Sequence, residues 1–382
     1  MNISIFNILN FFSKVDRTLF DIPATQQRAF LAFLKEPEDD IDRSYNQYLC
    51  QMLFVPYWKQ MIFNAFTMVL VPFVVVVFLL KDFFINKKSE TLDAIGECKG
   101  LEEIIPRELS DKYVIHNEVW FRGSHLSVAD TYFLFLLIKR HPGSPYFIFK
   151  MLIKIAHYSY MLSRYCPKAL IVHNEYSFTS SVLTYYCNRR NVLHINIMHG
   201  EKLFYIRDSF FRYDNCYVWN NYYKELFISL RAEKTQFKVA IPPSLLVDCD
   251  KYYAPSCFAD YKYYLTTYTE AKLKSIIHSM EFAVRQGKKI YFRPHPRYSD
   301  IKLLESLVDK AKIEYPNKVS ILTSIANLNY AVGSYTTVLN QAYFSGKEVV
   351  LDDMTFDKQY KKLTDYQYIL HKKDCIRLSD LQ

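Results

Sequence analysis

The chain has 382 residues, half of them hydrophobic and 23% charged; this excludes a disordered chain and, at roughly 100–200 residues per domain, predicts two domains with additions. The formal charge of +9 suits an anionic surface or an anionic small molecule, while dispersed Lys and Arg without a recognised module argue against nucleic acid as a partner. Only 8 glycines occur, with no G-x-G-x-x-G or G-x-x-x-x-G-K-[ST] string, and the 8 scattered cysteines contain no C-x-x-C pair; neither a glycine-rich phosphate loop, nor a zinc site, nor a disulfide framework is expected.

Residues 1–90 read as an N-terminal helical segment. No basic stretch followed by a sustained apolar run opens the chain, so no cleavable signal peptide is expected. Met61–Leu80 (MIFNAFTMVLVPFVVVVFLL) carries no charge over about the length that crosses a bilayer as a helix. Tyr57, Trp58 and Lys59 precede it and Lys81, Lys87 and Lys88 follow, a pattern of interfacial anchoring. Asn64 and Pro72 inside it argue against a simple span and favour a monotopic or re-entrant segment; a buried core element is the alternative.

From Thr91 short apolar runs alternate with amphipathic stretches. LDAIGE, KYVIHN, KALIVHNE, LHINIMHG and NCYVWN read as strands, and Ser127–Arg140 and Pro145–Tyr165 as helices, the second opened by a capping Ser144 and Pro145. Lys150, Lys154, His157 and Arg164 fall on one face of that helix as a basic stripe that suits anionic lipid; a core-packing helix with a solvated polar face is the alternative. The pattern restarts after Pro242-Pro243 with strand Lys262–Thr267, helix Thr269–Gln286, strand Lys288–Arg293 and helix Asp300–Tyr315. Strands Lys318–Thr323 and Leu328–Gly333, a helix from Thr336 to Ser345 and strand KEVVLDD complete it. Alternation of this kind predicts two α/β domains with parallel sheets, over 91–250 and 251–382.

Ligands of such sheets bind at the carboxyl ends of the strands. There stands Phe292-Arg293-Pro294-His295-Pro296-Arg297, where two prolines restrict the loop around a His flanked by guanidiniums. Arg293 and Arg297 suit phosphate, and His295 suits proton donation to a departing phosphate oxygen. Gly333-Ser334-Tyr335-Thr336-Thr337 ends another strand at a helix N-terminus, a second anion cradle whose donors are Ser334, Thr336 and Thr337. In the first domain, His199 with Glu201, or Glu175 in His173-Asn174-Glu175, supplies a candidate base. Asp40-Ile41-Asp42 and Asp248-Cys249-Asp250 spell Asp-x-Asp, a short string common by chance; no essential metal and no cofactor are expected.

The order MHGE, LTT, RPHP, GSYTT, helix, VVLDD resembles bacterial transferases of the GT-B type over roughly Pro167–Asp353. It is similar both to sialyltransferases that use CMP-linked donors and to CDP-glycerol glycerophosphotransferases. The resemblance implies two Rossmann-like domains with a cleft between them, and transfer of a sugar from a nucleotide sugar to a surface glycan or lipid-linked acceptor at the cytoplasmic face of the bacterial inner membrane. It implies that His295 contacts the donor phosphate, that Ser334 with Thr336 or Thr337 binds it, and that His199 is the base. Met198 stands where the glycerophosphotransferases usually have Trp, and their Asp-Tyr-Ser-Ser string is missing; the glycerophosphotransferase reading is the alternative, with a catalytically inactive membrane-associated scaffold as a further one.

Overall fold

The computed structural model describes residues 17–84, 91–97, 101–117 and 123–382; Lys87, Lys88 and the start of the chain, on which the signal-peptide expectation rests, lie outside them. Two compact units are formed, one by Met1–His199 with Phe204–Ala240 and the other by Gly200–Leu203 with Ile241–Gln382.

The first unit begins with helices α1 (Ala24–Phe33), α2 (Asp40–Met52) and α3 (Tyr57–Phe84). It continues through β1 (Ala94–Gly96), α4 (Arg107–Lys112), β2 (Ile115–Asn117), α5 (Val128–Arg140) and α6 (Pro145–Tyr165). Then come β3 (Ala169–Val172), α7 (Ser180–Asn188), β4 (Leu193–Ile197), β5 (Asn215–Val218), α8 (Asn221–Ser229) and β6 (Phe237–Val239). All six strands are parallel in the order β2-β1-β3-β4-β5-β6. Alternate residues feed opposite faces: Ile95 and Leu170 pack with α6, whereas Ala94, Ala169 and Ile171 pack with α4. Burial on both faces is why these strands read as continuous apolar runs.

Helix α6 is the centre of this unit, with Phe147, Ile148, Met151, Leu152, Ile155 and Leu162 all buried; each such side chain contributes about 1.5–3 kcal/mol. Its start differs from expectation. Ser144 occupies the N-cap position but makes no cap bond, and its Oγ lies 3.0 Å from the Tyr45 hydroxyl. Two members of the basic stripe are paired within the unit. Lys154 and His157 lie 3.4 and 3.5 Å from the Glu97 carboxylate, because the end of β1 brings that carboxylate beside the helix. On α3, Val71, Val74, Val75, Phe78 and Leu79 pack into the α6 core, Phe63 stacks on the Tyr146 ring at 4.8 Å, and Asn64 Oδ1 accepts the Tyr146 amide at 3.1 Å.

The second unit contains β7 (Ala259–Tyr264), α9 (Glu270–Ser279), α10 (Glu281–Arg285), β8 (Ile290–Arg293), α11 (Ile301–Leu307) and α12 (Ile321–Ala326). It closes with β9 (Leu328–Gly333), α13 (Thr337–Phe344), β10 (Glu348–Leu351), α14 (Asp357–Asp365) and β11 (Ile376–Arg377). The parallel order is β11-β10-β9-β7-β8, so both units share one doubly wound plan. The α/β class with two Rossmann-like units and an N-terminal apolar helix is therefore present as expected.

Three local expectations here are corrected. The strand read at Lys262–Thr267 runs three residues earlier, at Ala259–Tyr264. The helix expected over Asp300–Tyr315 stops at Leu307 because Ile313 and Glu314 return to β8, where the Glu314 amide donates to the Phe292 carbonyl at 3.0 Å. KVSILT is not a strand: Ser320 Oγ accepts the Thr323 amide at 3.0 Å and caps α12, since a serine hydroxyl that satisfies a free N–H stabilises a helix start.

Candidate functional site

In the first sheet, β1 and β2 run out to one side and β3 resumes on the other, so the topological switch lies between β1 and β3. Doubly wound sheets bind ligands at the carboxyl ends beside that switch. The loop after β3 places Glu175 there with no exposed surface. Its Oε2 accepts from Asn196 Nδ2 at 3.3 Å, and its carbonyl accepts from Gln47 Nε2 at 2.9 Å. From the end of adjacent β4, His199 Nδ1 approaches Glu175 Oε1 to 3.5 Å, with 39% of the His side chain exposed. The His173 ring lies against it, centroids 4.2 Å apart. Met198 is locked just before it: its amide donates to the Tyr217 carbonyl at 2.9 Å and its carbonyl accepts Trp219 Nε1 at 3.2 Å. Just after it, Gly200 turns the chain at φ +83°, where a side chain would be strained.

A buried carboxylate beside a partly exposed imidazole orients the ring and favours a proton on Nδ1, leaving Nε2 to accept one. The sequence supplied both residues as alternative bases; the structure joins them as one pair. Glu201, expected beside His199, falls in the second unit and accepts Asn340 Nδ2 at 2.6 Å. That bond ties it to α13.

In the second sheet the equivalent switch lies between β7 and β9. At the carboxyl end of β8, Ser299 Oγ accepts the His295 amide at 2.8 Å and donates to the Thr266 carbonyl at 2.8 Å, which ties the His295 loop to the loop after β7. His295 Nδ1 accepts the Arg297 amide at 3.1 Å, so the neutral ring carries its proton on Nε2, and Tyr298 stacks on the ring at 4.5 Å. Partial burial, then the Arg297 charge, hold its pKa below the ordinary histidine value. At neutral pH it is a neutral Nε2–H donor.

Two strands away, β9 ends at Gly333, where a Cβ would meet the Tyr264 carbonyl at 3.3 Å. Ser334 is buried, Thr336 half-buried and Thr337 exposed. Thr336 Oγ1 accepts the Val338 amide at 3.4 Å as the cap of α13, so its hydroxyl serves the helix as well as facing its N-terminus. With neighbouring strands about 4.8 Å apart, the His295 and Ser334 loops are separated by roughly 10 Å across β7. Arg297 is exposed and carries its charge at this end of the sheet.

Arg293 is a correction. Its guanidinium is buried, pairs with Glu314 Oε2 at 2.8 Å and donates to the Val319 carbonyl at 2.8 Å. Glu314 also takes Lys262 Nζ at 2.6 Å. The residue is part of an internal ion network and holds the loop instead of phosphate. The Asp-x-Asp strings are likewise engaged. Asp40 pairs with Arg212 and Asp42 with Arg140 at 3.0 Å, while Asp248 Oδ1 accepts the Lys251 amide at 3.0 Å.

No family model and no curated protein matches this sequence. Among solved structures, the UDP-GlcNAc 2-epimerase from Methanocaldococcus jannaschii is similar at 15% identity and a TM-score of 0.40, over 75% of this chain and 93% of that one. The wall teichoic acid polymerase TagF is similar at 13% and 0.38, over 73% and 74%. The glycotransferase of kitacinnamycin is similar at 9% and 0.43, over 75% and 86%. Likeness at this level decides neither donor nor reaction.

Proposed function

We propose that this chain is a metal-independent GT-B-type glycosyltransferase that moves a sugar from a nucleotide-activated donor, CMP-linked by preference, to a bacterial surface glycan or lipid-linked acceptor. The observation that carries the reading is the Glu175–His199 pair at the carboxyl ends of β3 and β4 beside the first switch point. His199 Nε2 takes the proton of the acceptor hydroxyl while Glu175 steadies the resulting imidazolium. The acceptor oxygen bonds to the anomeric carbon as the bond to the donor phosphate breaks through an oxocarbenium-like state. Charge gathering on the phosphate is met by His295 Nε2–H, by Arg297, and by the Ser334, Thr336 and Thr337 hydroxyls at the N-terminus of α13.

The same reading places the protein on the cytoplasmic side of the inner membrane, where nucleotide sugars are made. Support comes from α3, on which Ile62, Phe66, Val69, Phe73, Val76, Leu80 and Phe83 are all exposed. Their spacing of four and three residues is one helical stripe, and no charge interrupts it between Lys59 and Lys81. Because the opposite face packs against α6, a transverse span would strip core contacts. The helix lies in the interface with its outer stripe among the acyl chains.

Incubation of the purified chain with CMP-, CDP-, UDP- and GDP-linked sugars and with CDP-glycerol, followed by an assay of nucleotide release, tests the reading. Release from a CMP-sugar that depends on His199 and His295 is expected. Release from CDP-glycerol alone would replace it with the glycerophosphotransferase alternative, and inertness toward all five donors would leave the scaffold.

A further inference from the structure

A second feature of the first unit takes no part in the chemistry above. A cavity of about 360 Å³ lies between the loop after α2, the first turns of α3 and α6, and the chain after β4. Three cations line it: Arg17, Lys150 and Arg207, with Gln51 among the polar residues and Phe63 and Phe178 among the apolar ones. No Asp or Glu is among its lining residues; Asp208, itself buried, meets Arg207 Nε at 3.3 Å, and the guanidinium lies 4.5 Å from the ring of Tyr205, another lining residue. Lys150 is half-buried, and burial, then the neighbouring Lys154 charge, hold its ammonium below the usual lysine range. An anion in the cavity would relieve both penalties.

Size and charge together narrow the ligand. The volume would hold roughly a dozen waters at 30 Å³ each, more than one phosphate needs, and two guanidiniums with an ammonium suit the bidentate recognition of a phosphate or diphosphate. Position narrows it further. Phe63 on the cavity wall belongs to α3, and its neighbours Ile62 and Phe66 begin the exposed apolar stripe. On the other side Arg207 lies 5.4 Å from the Tyr176 ring, and that ring lies 6.2 Å from the His199 ring. Gln51 Nε2 donates to the Tyr176 carbonyl at 2.7 Å, joining the cavity wall to the loop that carries Glu175.

We propose that this cavity binds the phosphate or diphosphate of a lipid-linked acceptor, with the acyl or prenyl chain leaving along the α3 stripe and the group to be modified reaching His199. The proposal rests on the transferase reading for the role of the bound molecule, and on the cavity alone for its binding.

Titration of the full-length chain with dodecyl phosphate in neutral detergent micelles tests it. Lys150→Gln and Arg207→Gln should each weaken binding by about tenfold or more, the scale of a lost charge-assisted hydrogen bond. Lys150→Arg, which keeps the charge, should retain it and shows that loss in the Gln variants does not come from misfolding. Equal affinity in wild type and both Gln variants overturns the site. Inorganic diphosphate binding as tightly as dodecyl phosphate overturns the lipid, as does competition by phosphatidylglycerol micelles at equal strength. The titration needs neither donor nor turnover. A chain inert toward every nucleotide donor that still binds dodecyl phosphate through Lys150 would remove the transferase reading and keep the cavity; an active enzyme that ignores the ligand would do the reverse.

Discussion

The two imidazoles at strand ends differ in what meets their Nδ1 atoms: a carboxylate at His199 and a backbone N–H at His295. One arrangement favours Nδ1–H and frees Nε2 to take a proton; the other favours Nε2–H and offers it to an anion. Replacing His199 with Ala should lower kcat by about 10²–10⁴, the usual worth of a positioned base. Glu175→Gln should lower kcat by less, with the KM values and melting temperature held, because Glu175 acts through the ring it orients. Equal kcat in wild type and His199→Ala would remove the base from this pair. Arg293 predicts the opposite pattern. Arg293→Gln leaves Glu314 buried with Lys262 as its remaining cation, at a cost of about 3–5 kcal/mol for a broken buried pair. Its melting temperature should drop while the folded enzyme keeps its KM for donor. A raised donor KM without loss of stability would return Arg293 to the phosphate.

Elements explain why some of these residues could be read and others could not. The runs ALIV, LHINI and LNYAVG are parallel strands whose last residues are buried on both faces, and a mostly apolar run closed by a polar residue marks both strand and strand end. His199, His295 and Ser334 were legible for that reason. KVSILT carries the same β-branched texture, yet Ser320 caps it into a short helix whose Ser324 reaches the Glu314 network. Texture loses there to a capping bond and a buried charge. On α13 the hydroxyls divide their duties, since Thr336 also caps the helix. Thr336→Ala alone should cost about 0.5–2 kcal/mol of stability. His295→Ala and the triple change of Ser334, Thr336 and Thr337 to Ala should both weaken donor more than acceptor, read as nucleotide affinity by calorimetry. Unchanged donor affinity in the triple variant would leave those hydroxyls as a cap only.

For the whole molecule, the apolar helix matters twice, because one face of α3 completes the α6 core and the other is bare. Excising residues 61–80 would therefore unfold the first unit and report nothing about membranes. Changing Phe66, Val69, Phe73, Val76 and Leu80 to Gln spares the packed face. Wild type should float with anionic liposomes and this variant should stay in solution with an unchanged circular dichroism spectrum. A wild type that forms a soluble dimer and ignores liposomes would make the stripe a seam between two copies. Acid stability follows from the same core. His194 is fully buried between Tyr158 and Thr184, and burial depresses its pKa to about 3. Burial raises Glu97, but Lys154 and His157 outweigh it and hold the carboxylate at about 2. The unfolded chain binds a proton at His194 near 6.5 and the native chain does not. Stability present above that pH is thus lost as pH falls toward 3, and Glu97 adds to the loss below its ordinary 4.5. At about 1.4 kcal/mol per tenfold change in proton affinity, the full effect is several kcal/mol. The melting temperature should fall between pH 8 and pH 5, and less steeply in His194→Gln; a flat profile in wild type would contradict a neutral buried His194.

Sequence alone determined the two parallel-sheet units, the strand ends that carry His199, His295 and Ser334, and the uncharged run of α3. Each of these is written in short-range periodicity and in the residue that closes an apolar run. Tertiary structure decided the partners. It paired Glu175 with His199 across 24 positions, took Arg293 into a network with Glu314 and Lys262, moved Glu201 to α13, and set Lys154 and His157 against Glu97. It also gathered Arg17, Lys150 and Arg207 around one cavity. A charge declares its sign in the sequence, but the counter-charge that fixes its role is chosen by which strand ends and helix faces the fold brings within about 4 Å, and local pattern carries no record of that distance.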